Sequence, residues 1–176
     1  MASSSAVCYP DDASLLQELG QLLKLAKEQS ENGNYPKTIA LCDTAEEVMR
    51  NNKYCSDTLA LQELQLGLYF ARAVGHVRCG NHAPAAEDLS KVIALDPEYD
   101  TAHAYRAGEL CDLGLNTLAI DDYTVAIRLN SEDPANYFNR AMCYLNLESP
   151  QRASRDLTAC VRACVRACLR ACVRAS

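Results

Sequence analysis

The dipeptide Arg-Ala occurs at 72–73, 106–107 and 140–141, a spacing of 34 residues. Each copy lies in one frame: Tyr69-x-x-Arg72-Ala73-x-x-His76, His103-x-x-Arg106-Ala107-x-x-Leu110 and Tyr137-x-x-Arg140-Ala141-x-x-Tyr144. A fixed period of this length marks stacked helix-turn-helix units, none of which buries its apolar face alone. The expected architecture is therefore all-α, and the expected function lies in the surface that the stack presents.

In register, the chain divides into units at 19–52, 66–99, 100–133 and 134 onward. In the third, Ala107 allows close helix approach, and Gly114 before Asn116 gives a turn in which a left-handed residue ends the first helix. Ala119, Tyr123 and Ala126 then form a small-large-small stripe on one helical face. The second unit repeats this with Ala73, Gly80, Ala85, Leu89 and Val92, and Pro97 stops its second helix. The first offers Ala26, Gly33-Asn34-Tyr35, Ile39, Cys42 and Ala45. The fourth offers Ala141, Ala153 and Leu157, with Pro150 suited to a first helical turn.

These residues resemble the tetratricopeptide repeat family, over nearly everything from Leu15 to about Ala159. The resemblance implies a right-handed α-solenoid of about four antiparallel helix pairs. Departures are Tyr69, His103 or Tyr137 where the family often has Trp, Ser131 in place of a proline, and Thr38 where a small alanine is expected. The expected division is a disordered 1–12, a degenerate first repeat over 13–52, a helical extension over 53–65, repeats over 66–99, 100–133 and 134–158, and a low-complexity helical tail over 159–176. The extension holds Ser56-Asp57 as a helix start followed by closely spaced leucines. It is read as about 20 Å of projecting helix.

The tail repeats Ala-Cys-Val-Arg, a tetrapeptide period that matches neither the 34-residue repeat nor a heptad. All four residue types have codons alternating G with T or C, so the run is read as a translated simple-sequence tract ending a longer repeat protein early. Cys160, Cys164, Cys168 and Cys172 lie on one helix without a second ligand pair or a nearby histidine. No metal site is expected from that pattern.

Charged residues make up 23% and apolar residues 49%, which disfavours both disorder and a membrane protein. No run approaches the ~18 uncharged apolar residues of a membrane span. The first twelve residues lack the basic and apolar regions of an export signal, and the expected location is cytoplasmic. Net charge is −6, and four of the positive charges are arginines in the acid-free tail, so the rest of the chain carries −10. Such a surface repels phosphate backbones, and no nucleic-acid partner is expected. Cys42, Cys79, Cys111 and Cys143 fall inside helical patterns and are read as small apolar groups, not as a disulfide framework.

There is no phosphate loop, nucleophile elbow or zincin motif, so neither an enzyme nor a cofactor is expected. Acid pairs such as Asp121-Asp122 and Glu46-Glu47 are read as solvated faces. The family resemblance implies that a partner protein binds in the concave surface of the first helices. Its positions here are Phe70, Ala71, Val74 and Arg78, then Thr101, Ala104, Tyr105 and Asp112, then Ala135, Phe138, Asn139 and Met142. The implied ligand is an amphipathic helix or extended peptide with apolar anchors. One subset of the family grips acidic chaperone tails through a carboxylate clamp. That clamp would need basic residues or Asn at Leu23, Phe70, Val74 and Thr101; only Asn139 matches, which argues against a co-chaperone. Oligomeric state is not indicated.

Overall fold

A computed structural model describes residues 12–52 and 59–175. The expected disordered stretch, up to residue 11, the Ser56-Asp57 helix start and Ser176 lie outside the described residues. Eight helices occur among the described residues: α1 (Asp12–Glu31), α2 (Tyr35–Asn51), α3 (Leu59–Arg78), α4 (His82–Leu95), α5 (Asp100–Asp112), α6 (Asn116–Leu129), α7 (Pro134–Asn146) and α8 (Pro150–Ala175). They form two compact units, α1–α4 and α5–α8. In each, successive helices pack as antiparallel pairs, with α3 against both α1 and α2, and α7 against α5 and α6.

The packing alanines are buried. Ala26, Ala73, Ala107 and Ala141, one per repeat, are all 0% exposed. With only a methyl group at these sites, the backbones of paired helices can approach closely. In the first unit α2 contributes Cys42 and Ala45 to a core with Leu15, Leu19, Leu61 and Leu68. In the second, Ala107, Ala119, Tyr123 and Cys143 form the cluster. Residues 59–65 are the first turns of α3, and they do not project: Leu61 is buried and Leu64 packs against the same core. Gly67 allows this approach, since a Cβ there would lie 2.8 Å from a Leu23 methyl.

Thr38 is fully buried at the site where alanine is expected. Its hydroxyl is satisfied locally, donating to the carbonyls of Asn34 at 3.2 Å and Ala26 at 3.4 Å. A buried hydroxyl with such partners avoids most of its desolvation cost.

All four helix pairs turn in the same way. Gly33, Gly80 and Gly114 have φ of +74°, +73° and +77°. Each donates its N–H three residues back, while the next residue donates five residues back: Asn34 to Gln29, Asn81 to His76 and Leu115 to Leu110. This is the Schellman arrangement, with glycine at the left-handed position. In the fourth turn Glu148 holds that position with φ 52°, and Ser149 closes onto Tyr144. The helices that follow start on suitable residues: Asp133 caps α7 by accepting from the Ala135 N–H at 2.9 Å, and Pro134 and Pro150 occupy first turns.

Leu157, counted among the packing positions of the fourth unit, is 38% exposed. It begins an exposed ridge of Val161, Val165 and Leu169 along α8. Among the described residues no helix covers that face.

Candidate protein-binding surface

The three repeated arginines point inward. Arg72 donates Nε and Nη2 to Asp88 at 2.7 Å each, Arg106 does the same to Asp122, and Arg140 reaches Asp156 at 2.7 and 2.8 Å. Every fork spans 16 residues and ties the first helix of a repeat to its second. Asp88, Asp122 and Asp156 are 3%, 6% and 7% exposed, so each fork places a carboxylate inside the protein with a bidentate partner. Asp122 is therefore not on a solvated face as the sequence suggested; only its neighbour Asp121 is exposed. Glu46 is likewise half-buried and paired.

The remaining guanidinium nitrogen reaches the preceding helix. Nη1 of Arg72 contacts Asp43 at 2.8 Å and Glu46 at 2.6 Å on α2, and Nη1 of Arg140 donates to the Thr124 hydroxyl at 2.9 Å on α6. Lys91 adds contacts to Glu46 and Asp88, with its ammonium 5.0 Å from the Tyr69 ring centre. Burial alone would weaken Arg72's hold on its proton, but Asp88, Glu46 and Asp43 reverse that and raise its pKa. Burial also works against the Glu46 carboxylate, yet Arg72 and Lys91 hold it below its ordinary range. A cleft of about 350 Å³ opens beside this cluster. Its central cations, Arg72 and Lys91, already have carboxylate partners, so it serves as a structural ionic network.

The first position of the frame is also shared. Nε2 of His103 donates to the Pro97 carbonyl at 3.1 Å, and the Tyr137 hydroxyl donates to the Ser131 carbonyl at 3.3 Å, in each case six residues back. His103 is 6% exposed, with Nδ1 3.3 Å from Asp122.

The residues expected to contact a partner are distributed as follows. On α3, Phe70 and Val74 are half-buried, Ala71 is buried and Arg78 is exposed. On α5, Thr101 and Ala104 are half-buried, while Tyr105 and Asp112 are exposed. On α7, Ala135, Phe138, Asn139 and Met142 are exposed. Within the second unit, Phe138, Met142 and Leu145 are 48%, 43% and 43% exposed. Their spacings of four and three put them on one face. Leu145 is absent from the positions that the family resemblance implies, although it continues the same helical spacing. At the matching register α5 carries only Ala104, Gly108 and Cys111, so an apolar ridge on α7 adjoins a line of small residues on α5. Asn139 hydrogen-bonds Tyr123, whose hydroxyl is pushed up to about 12 by burial, against the effect of that bond.

Three cysteines depart from the reading as separate apolar thiols inside helices: Cys79 is exposed just past the end of α3, and two others are paired. Cys111 on α5 and Cys143 on α7 are joined in a disulfide. Their separation of 32 residues falls outside the 34-residue register, which hid the pairing. Cys42 does behave as an apolar group, with burial pushing its thiol up to about 12.

No family model matches the chain. Solved structures do. MamA superposes with a TM-score of 0.75 over 85% of this chain and 80% of its own, at 16% identity. The C-terminal TPR-containing domain of a Plasmodium falciparum FK506-binding protein gives 0.75 over 84% and 99%, at 15% identity. A tetratricopeptide repeat protein from Parabacteroides merdae gives 0.67 over 81% of this chain and 52% of its own, at 19% identity. The chain thus has the tetratricopeptide-repeat fold, an α-solenoid built from antiparallel helix pairs.

Proposed function

We propose that the chain is a non-enzymatic scaffold that holds a segment of another protein, with α7 and the adjoining face of α5 as a principal contact surface. The observation that carries this reading is the exposed Phe138–Met142–Leu145 ridge beside Ala104 and Gly108. A contiguous apolar ridge next to small residues suits the apolar face of an amphipathic helix or an extended segment with apolar anchors. Tyr105, Asn139, Thr101 and Asp112 supply polar atoms along its margin. In the α1–α4 unit, Phe70, Ala71, Val74 and Arg78 are the corresponding candidates. Leu23, Phe70, Val74 and Thr101 offer no cation for a ligand carboxylate, which speaks against chaperone-tail recognition.

Selection of binders from a displayed peptide library tests this. Selected peptides should share apolar residues at helical or alternate spacing. F138A/M142A should lose at least about tenfold in affinity while its melting temperature stays close to wild type. Equal binding by the variant would remove the assignment.

A second reading, a segment of a longer repeat array, is favoured by the exposed ridge on α8. An unpaired second-helix face of this kind is what a following repeat would cover.

A further inference from the structure

The two sulfurs of the Cys111–Cys143 bond sit in different surroundings. Cys143 is 0% exposed, in the cluster with Ala107, Ala119 and Tyr123, whereas Cys111 lies at the edge of that cluster and is half-buried. Their Cα atoms are 6.8 Å apart, within reach of a disulfide without backbone movement. We infer that this pair is a reversible thiol–disulfide site of fixed polarity, in which a low-molecular-weight thiol enters at Cys111 and Cys143 is the leaving sulfur.

The polarity follows from access. Exchange needs a thiolate to approach a sulfur along the S–S axis, from the side opposite its partner. Cys111 keeps part of its surface in contact with solvent whereas Cys143 keeps none, so a thiolate can reach Cys111 but would meet Cys143 only through the packed core. Attack on Cys111 Sγ forms a mixed disulfide there and breaks the bond to Cys143, which departs with the electron pair and takes up a proton. A second thiolate then attacks the mixed disulfide at the small-molecule sulfur and releases Cys111 as a thiolate. The small disulfide formed carries away the two oxidising equivalents. Re-oxidation by a small disulfide reverses both steps. Because Cys143 must leave as an anion among apolar groups, reduction is slow.

The bond also ties α5 to α7 across 32 residues of chain, so breaking it loosens the second unit. Loss of a closed loop of that size lowers the melting temperature by on the order of 10 °C.

The test uses the full chain with Cys160, Cys164, Cys168 and Cys172 replaced by Ser, which keeps tail thiols out of the exchange. It is equilibrated in glutathione of varied redox ratio, quenched in acid and differentially alkylated, and the peptides are mapped by mass. Cys111 and Cys143 should be protected together when oxidised and alkylated together when reduced, with melting temperature following the same curve. Free thiols at both positions under oxidising conditions would overturn the pairing. For polarity, C143S should gain glutathione on Cys111, while C111S leaves Cys143 unmodified and exposed Cys79 reports that the reagent is active. Equal modification of Cys143 in C111S would overturn the polarity. Should C143S fail to fold, quenching the tail-substituted chain during reduction decides the same point. The trapped mixed disulfide then sits on Cys111, or the inference fails.

Discussion

Single positions in this protein carry costs set by the repeat geometry. Glu148 occupies a left-handed site that the other three turns give to glycine. A side chain there is disfavoured by about 1 kcal/mol, partly offset by the greater unfolded-chain freedom of glycine. Glu148→Gly should therefore raise stability by about 0.5–1 kcal/mol, read as a higher urea midpoint with unchanged slope. Ala107 is the opposite case. It is fully buried between α5 and α6, and Ala107→Leu should cost at least about 1–3 kcal/mol by overpacking, measured the same way. Both kinds of site were legible in the sequence, because alanines at a fixed period mark close helix contacts and glycines at the same period mark left-handed turns. Thr38 was legible only as an exception. Its two carbonyl acceptors depend on how α1 and α2 meet.

At the scale of helix pairs, the forks decide what a substitution does. Removing one partner of a buried ion pair strands the other, at a cost of about 3–5 kcal/mol, whereas replacing both with apolar residues is often nearly neutral. The first repeat makes no fork: at the register of Arg72 and Asp88 it has Leu25, which is 45% exposed, and Leu41, which packs against the core. Arg140→Leu should thus destabilise the second unit strongly, and R140L/D156L should recover most of the loss. A double-mutant cycle in urea decides it, and a double variant no better than the single would contradict the account. The forks were half legible. The arginines announced themselves by period, but Asp122 was read as a solvated acid, and Asp88 and Asp156 were not singled out. Their shared separation of 16 from an arginine was the usable signal. The exposed ridge on α7 was legible except for Leu145, and the disulfide was not legible at all.

For the molecule as a whole, acidity and surface composition set the limits. Glu46 is held ionised below its ordinary 4.5. A carboxylate with a lowered folded pKa stabilises above its unfolded value, and the contribution disappears as pH falls through the folded one. Wild type should exceed E46Q in urea midpoint near neutral pH, and the gap should shrink as pH falls below the ordinary 4.5 and close once it passes the lowered folded value. A gap that persists in acid would mean that packing, not charge, makes the difference. On α8, Val161, Val165 and Leu169 are 62%, 52% and 61% exposed, and apolar ridges of this kind drive association. Replacing all three with Gln should reduce concentration-dependent light scattering without lowering the melting temperature.

Near-identical segments in one chain bring a hazard of their own, since each arginine would fit the aspartate of a neighbouring repeat as well as its own. What distinguishes the repeats is what surrounds the nitrogen left over by the fork. Arg72 finds two carboxylates on the helix before it, and Arg140 finds a hydroxyl. In a misassembled order Asp43 and Glu46 would still meet an arginine, but Glu46 would lose Lys91, because the matching positions, Val125 and Ala159, carry no charge. The lysine works as a serial number, penalising the wrong sequence of otherwise interchangeable parts.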